Sequence, residues 1–446
     1  MTGPDVRLAA AVRVGDAGEV RALIEAGADP DAAGADGLPV LCSAVEAFAH
    51  EVAEALVEGG ADPDRQLPDG TTPLLRAVEG GSPATVSAVN AGALRLPREQ
   101  RERLLAAARH WYETGAEAEL RRRTGARGPA RTARVQDGEF LHVEAVTLGG
   151  RTVRAGHGAV LTELEQALRI LTPVEELVAR AVRHADDHVD WSASSWALAC
   201  RRSAGTWSQV VAFHRHPSPV HRAFVADFLR SGAMQASMTM HERWYERERG
   251  RLLVSWAETE TDGGVLAEVL AVMRLEEHPG APAVGLRHAG HPDPRVRGEV
   301  PFLFDPPRTG EVAAALRVLA RDAEPEVRVA AAESLAWPEV WSGEDRELLV
   351  SLFRDPDPQV RSRASYAVAS GRDRSPAVTE ALFGLLDAQE QVLRLNGAFG
   401  LAVRDDPRTR EAYGRVGPRD GEHECEHEHR WDGLWRWSMR NEPDAP

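Results

Sequence analysis

At 446 residues the chain has room for roughly two to four domains. With 43% hydrophobic and 27% charged residues it has the make-up of folded globular protein, which excludes wholesale disorder and fibrous classes. Its 53 basic residues are outweighed by 69 acidic ones, and the formal charge of -16 disfavours nucleic acid as a partner except at a local basic surface.

All the basic residues are arginine; lysine is missing, and isoleucine is confined to Ile24 and Ile170, which points to a GC-rich, bacterial genome. The three cysteines, Cys42, Cys200 and Cys425, are too few and too scattered for a secreted disulfide framework. Charged residues from Asp5 to Glu19 break up the N-terminus where a signal peptide needs an apolar core, and no later run is long enough to span a bilayer. A cytoplasmic protein without a membrane partner is expected.

Taken in chain order, the first feature is a repeat. Gly27-Ala28-Asp29-Pro30-Asp31 returns as Gly60-Ala61-Asp62-Pro63-Asp64, 33 residues later. Asp36-Gly37 and Ala44-Val45 return at the same interval as Asp69-Gly70 and Ala77-Val78. Each unit reads as two short helices, such as Pro39 to Ala47 and Val52 to Glu58, stopped by glycine and followed by a proline and aspartate turn. Two such helices cannot bury their apolar faces alone, so neighbouring units must stack. The run Asp69-Gly70-Thr71-Thr72-Pro73-Leu74 resembles the ankyrin repeat, with Leu75 where that family has histidine. About three such repeats are expected over residues 1–94, and the resemblance implies a binding surface at the fingers, near Asp36 and from Leu67 to Asp69.

Residues 95–130 read as a basic helical cap, with Leu104, Leu105 and Ala108 on one face. From 95 to 135 there are eleven arginines against five glutamates, whereas 1–94 hold five arginines against fifteen acids. The densest part, Arg121-Arg122-Arg123, fits a phosphate or an acidic partner, but a solvated helix face paired within the chain to the acidic repeats is the favoured reading. Between 131 and 160 the period changes to that of strands, with Asp137-Gly138 and Gly149-Gly150 as hairpin signals between Val135, the Phe140 to Leu148 run and Val153. A small three-stranded β-meander is predicted there.

A second period runs through residues 161–417. His291 to Arg297, Asp322 to Arg328 and Asp355 to Arg361 share a proline-bearing turn and a Val-Arg or closely similar ending, and their arginines lie 31 and 33 apart. Asp387 to Leu393 continues the series with leucine at the arginine position, while His216 to Arg222 and His184 to Asp190 extend it backwards. Matching Leu252-Leu253-Val254-Ser255 to Leu348-Leu349-Val350-Ser351 places Val265 in the remaining slot, giving seven units with departures at Asp190, Val265 and Leu393. Proline suits the first turn of a helix and acids favour its positive end, so each turn opens a second helix. The series is similar to the HEAT repeat in its short bacterial form.

That resemblance implies several activities to weigh. HEAT-like DNA glycosylases use aromatic residues and an acid in a basic groove, and Trp191, Trp196, Trp207, Trp244 and Trp256 with Asp227 could imitate them. The acidic balance of this half argues for packing instead. HEAT-like hydroxylases bind iron through repeated His-Glu pairs, of which His241-Glu242 is one, too few for a di-iron site. HEAT-like lyases leave no local signature to carry over. No P-loop, Gly-x-Gly-x-x-Gly, Gly-x-Ser-x-Gly or His-Glu-x-x-His motif occurs.

Residues 418–446 form a His/Glu/Trp-rich tail. Glu422-His423-Glu424-Cys425-Glu426-His427-Glu428-His429 alternates ligand types on one face of a strand, a pattern open to zinc or nickel but without the spacing of a folded site. Trp431 and Trp435 follow, for use either as a cap on the last repeat or as a docking peptide. The sequence thus predicts an all-α solenoid, ankyrin then HEAT-like α-α repeats, with a small β-meander between them. Its expected role is a protein-protein interaction scaffold or adaptor whose partner is another protein, without catalytic residues, cofactor or metal. A nucleic-acid-binding HEAT-like protein using 95–135 and a metal-responsive regulator acting through the tail are the alternatives.

Overall fold

The computed structural model describes residues 3–90, 95–184, 186–234, 240–275, 278–337, 341–418 and 428–441. The fold is an all-α solenoid of consecutive helix pairs with one small antiparallel sheet, and the chain divides into two compact units, residues 1–232 and 233–446.

In the first unit three helix pairs lead the chain: Gly3–Val14 with Ala17–Glu25, Val40–Glu46 with His50–Glu58, and Pro73–Gly80 with Pro83–Val89. Their buried faces, from Leu8 and Val20 through Leu41, Leu56 and Leu74 to Val86, form one continuous core. The repeated Gly-Ala-Asp-Pro-Asp turn has a chemical reason. Gly27 and Gly60 take positive φ (92° and 102°), which glycine adopts without strain, and so end the helices. Asp29 and Asp62 then accept the N–H of Asp31 and Asp64 across the proline (3.0 and 2.9 Å), and Asp31 reaches the N–H of Asp62 in the next repeat (3.1 Å). Each turn is thereby closed on itself and tied to its neighbour.

The Arg98–Thr114 and Ala116–Thr124 helices follow, and then the sheet, with β1 Arg131–Gln136, β2 His142–Leu148 and β3 Arg151–Arg154 in sequential antiparallel order. Gly149 and Gly150, both at positive φ, make the two-residue turn between β2 and β3. The first hairpin is longer than the Asp137-Gly138 signal predicts: Phe140 and Leu141 lie in the connection, and pairing resumes at His142 opposite Gln136. Asp137 is the reason, since its buried carboxylate is engaged by Ser82 (2.5 Å), by the Ala84 N–H (3.1 Å) and by Arg154 instead of turning the chain. The unit closes with helices His157–Ala167, Val174–Ala181, Val189–Ala199, Ala204–Val211 and most of Pro219–Met234.

In the second unit the pairs are Met240–Ala257 with Gly263–Met273, Ala281–His288 with Pro294–Glu299, Gly310–Leu319 with Pro325–Ala336, Gly343–Ser351 with Pro358–Ser370, and Pro376–Gly384 with Gln391–Val403. Thr409–Val416 and Glu428–Asn441 follow. The repeating arginine has two jobs. Arg297, Arg328, Arg361 and Arg394 each donate through Nη1 to the carbonyls six and five residues earlier, so the guanidinium holds its own turn. Arg297 and Arg328 also form two-pronged pairs with Asp322 and Asp355 of the following turn (2.7 to 2.8 Å), and Arg361 reaches Glu390 (2.5 Å). Among the described residues Arg394 reaches forward to the Val416 carbonyl (3.2 Å) instead of an acid.

This ladder corrects the sequence register. Val296, Val327 and Val360 lie three residues after the helix caps Asp293, Glu324 and Asp357, and all are buried. By the same count Val265 after Asp262 and Leu393 after Glu390 occupy that inward valine slot, not the arginine slot. Trp191, three after the cap His188, fills it in the first unit, so Asp190 is not in the arginine slot either. The arginine of the last repeat is Arg394, and the real departures are Ser192 and Leu266. A one-residue slip was invisible in sequence because aliphatic residues flank both slots.

Arg404, at the end of the Gln391–Val403 helix, is almost fully buried and donates five hydrogen bonds to main-chain carbonyls: Asp373, Ala369, Gly400, Val368 and Gly371, all within 2.7 to 2.9 Å. It satisfies carbonyls left open at the end of the Pro358–Ser370 helix. Burial draws its pKa down to about 10. The C-terminal helix Glu428–Asn441 packs on Gln391–Val403, with Leu434 and Trp437 buried. Arg430 donates to Asn396 Oδ1 (2.6 Å) and lies over the Tyr366 ring.

Candidate functional site

In the first unit a cleft of about 670 Å³ opens between the repeats and the sheet, lined by Glu46, Phe48, Asp69, Thr71, Arg76, Glu79, Trp111, Arg123 and Arg151 among others. It brings two of the predicted residues, Asp69 and Arg123, to one place. Both are committed to neighbours. Asp69 accepts the Thr71 N–H and hydroxyl (2.9 and 2.6 Å) and an Arg76 pair (2.9 Å), and the Thr71 bonds above all hold its carboxyl down to about 2. Arg123 forms a two-pronged pair with Glu79 (2.8 and 2.9 Å), a third bond to Glu119 (2.7 Å), and stacks over Trp111 at 4.7 Å.

The rest of the arginine run is similarly engaged: Arg122 pairs with Glu119 through two bonds of 2.7 Å and Arg121 with Glu117 at 2.7 Å. Glu119, buried beneath them and hydrogen-bonded first by Arg122, is held far below the usual carboxylate range. Of the fingers, Asp36 is exposed but closes its own turn on the Leu38 N–H (3.0 Å). Leu67 is only 6% exposed, because its N–H bonds the Thr71 carbonyl and turns the side chain inward; it is not part of a contact surface. Trp431 is half-buried and Trp435 is 57% exposed on the capping helix, whose apolar contacts come from Leu434 and Trp437 instead. The ligand run at 422–427 lies outside the described residues.

A metal-like cluster that the sequence did not flag sits beside β2: Glu144, His184 and His188 bring one ligand atom each within 4.8 Å of one another. Hydrogen bonding argues against an ion. His188 caps the Val189–Ala199 helix by accepting the Asp190 N–H on Nδ1 (3.1 Å), so the neutral ring carries its proton on Nε2 and donates to Glu144 Oε2 (3.1 Å). The nitrogen facing the cluster is therefore a donor, not a ligand. Burial and the stacked His184 ring, 3.8 Å away, push the His188 pKa down to about 4.

In the second unit a groove of about 790 Å³ runs past four successive second helices. Its walls carry Arg274, Phe302, Asp305, Arg308, Glu333, Trp337, Arg363, Tyr366 and Arg372. Trp337 is 78% exposed. Arg274 lies over Phe302 at 4.7 Å, and Arg363 pairs with Glu333 at 2.6 Å. Arg308 is fixed by the carbonyls of Phe304 (2.9 Å) and Ser334 (2.7 Å) and by the Ser334 hydroxyl (3.1 Å), neutral groups that position the cation, while Asp345 and Asp305 act on its charge from farther off. A signal for this face existed in the sequence: Phe302, Glu333 and Tyr366 each stand five residues after a ladder arginine, and Phe399 follows by the same count from Arg394. The offset mixes aromatic with acidic side chains, so no hydrophobic period marked it.

Among the described residues no helix is long and apolar enough to cross a membrane. The sequence pattern of HEAT repeats matches residues 312–402, which include the Arg328 and Arg361 turns. No curated protein matches the chain. Among solved structures, the X-ray structure of YibA from Escherichia coli is similar, with a TM-score of 0.44 and 17% identity over 61% of this chain and 96% of that one. The crystal structure of an engineered protein gives 0.41 and 16% over 90% and 93%. Residues 312–402 match the HEAT-repeat pattern and are set in a longer array of helix pairs.

Proposed function

We propose that the chain is a non-catalytic scaffold or adaptor that binds another protein, with ankyrin-type repeats over residues 1–94 and HEAT-like repeats over 161–417. The observation that carries this reading is the long groove of the second unit, where exposed Trp337 and several guanidinium groups line one face of successive repeats. Such a face offers area and repeated contacts, which is what peptide or protein recognition requires. The ankyrin assignment rests on the finger glycines at positive φ, the Thr72-Pro73 helix start and the Asp31 to Asp62 rung at a 33-residue repeat. Against the nucleic-acid reading stands the pairing of Arg121, Arg122 and Arg123 with glutamates, since such arginines have little net charge left for phosphate.

Affinity capture of the full chain from its native host at two salt concentrations tests this. A stoichiometric protein partner that survives high salt, without nucleic acid, is the expected result. Recovery of nucleic acid alone, lost at high salt, would overturn it.

A further inference from the structure

We infer that the groove of the second unit binds an extended, acidic segment of a partner protein, its carboxylates on the groove arginines and an apolar side chain against Trp337. This rests on the scaffold reading above and names the chemistry of the ligand. The argument begins with charge. The chain is strongly acidic, yet the lining of this groove holds Arg274, Arg308, Arg363 and Arg372 against Asp305 and Glu333; with Arg363 paired to Glu333 and Arg274 reaching Glu299, Arg308 is the cation a carboxylate meets first. A local reversal of sign inside an acidic molecule concentrates anionic ligands at that place and repels them elsewhere.

Arg308 is the clearest element. Its three hydrogen bonds all go to neutral oxygens, and they leave Nη1 without a partner among the described residues, in a side chain that lines the groove. A guanidinium held rigid by its own backbone is pre-organised to receive a carboxylate, because little side-chain entropy remains to be lost. Arg274 is held by stacking on Phe302 and by a long contact to Glu299 (3.5 Å), and its side chain is 42% exposed. Trp337 supplies the apolar element that charge alone lacks, since a large indole left in solvent is the usual anchor of a binding surface.

Repeat geometry sets the length of the ligand. Second helices packed about 10 Å apart place four repeats along roughly 30 Å. A segment in the polyproline II conformation, rising about 3.1 Å per residue with three residues per turn, covers that with about nine residues and returns every third side chain to the face that meets successive repeats. A peptide of this design, with glutamates three apart and one central leucine, is the probe.

The test uses the full chain, the fluorescein-labelled nine-residue peptide, its all-glutamine counterpart and a single-stranded DNA of matching length, read by anisotropy. The acidic peptide should bind at least about tenfold tighter than the glutamine peptide and weaken with salt. Trp337→Ala and the double variant Arg363→Glu/Arg372→Glu, each checked for unchanged helicity and melting, should lose about tenfold or more. Equal binding of the glutamine peptide, no saturable binding of the acidic one, or tighter binding of DNA would each overturn the inference. Repeating the affinity capture with Trp337→Ala separates the two readings. A partner held equally by both proteins leaves the scaffold standing and removes the groove, whereas a partner lost with Trp337 supports both.

Discussion

Replacing Arg404 with methionine keeps most of the side chain's length and apolar stem and removes one guanidinium. Five carbonyl oxygens lose their donor at once. At about 1.5 kcal/mol for each bond to a charged donor, the gross loss is about 7 kcal/mol. Against this, methionine escapes the cost of burying the charge. The pKa displacement from 12.5 to about 10 puts that cost at roughly 3 kcal/mol, at about 1.4 kcal/mol per unit. The net expectation is a loss of about 4 kcal/mol, felt where the Pro358–Ser370 and Gln391–Val403 helices meet. Because repeat arrays open locally, the assay should be local too: amide hydrogen exchange followed by mass spectrometry on peptides from these two helices. Protection there should fall by about a thousandfold, while peptides from the first unit keep theirs. A change of less than about tenfold in the two helices would refute the reasoning, because it would mean that water replaces the guanidinium at little cost.

Other expectations follow from the same kind of accounting. Arg328→Ala should destabilise its repeat by about 3 kcal/mol by stranding Asp355, and the double variant Arg328→Met/Asp355→Leu should recover most of that in an exchange-based double-mutant cycle. Gly81→Ala should prevent the first unit from folding, since Gly81 sits at φ 72° and a Cβ would lie 2.1 Å from the Arg154 carbonyl oxygen; soluble yield and melting show this directly. His157 is buried, stacked on Trp111 and donates through Nε2 to the Glu79 carbonyl (3.1 Å), and burial lowers its pKa from 6.5 to about 4. The folded form therefore binds fewer protons than the unfolded one between these values, so this stability is complete above pH 6.5 and is lost as pH falls towards 4. His157→Phe should lower stability at pH 7.5, yet lose about 2 to 3 kcal/mol less than wild type between pH 7.5 and 4.5 in urea titrations. Release of the C-terminal helix by trypsin at Arg430 should be slow in the native chain, because Arg430 is buried against Asn396 and Tyr366.

Much of the fold was legible because its repeats are chemical as well as hydrophobic. Aspartates, prolines and glycines at fixed offsets define turns directly, so the Gly-Ala-Asp-Pro-Asp motif located the first helix pairs and the Gly149-Gly150 pair located the second hairpin. Register was harder. Valine, leucine and arginine stems alternate about the inward slot, and only the guanidinium contacts of Arg394 decide which residue of the last repeat faces the next turn. Sites were hardest. Exposure at a finger does not follow from its place in a motif, as buried Leu67 shows, and a run of arginines is no patch when glutamates lie one helical turn away. The groove required the inner face of several repeats at once, and the offset that lines it mixes Phe302, Glu333 and Tyr366, which no hydrophobic period marks.

The arginine ladder of the second unit also has a direction. Each rung gives donors forward to the acid of the following turn, from Arg297 to Asp322 and from Arg328 to Asp355, and Arg394, among the described residues, reaches forward to the carbonyl of Val416. An array wired in this way can grow from the middle, because an inserted repeat carrying both the turn acid and the arginine passes the connection along unchanged.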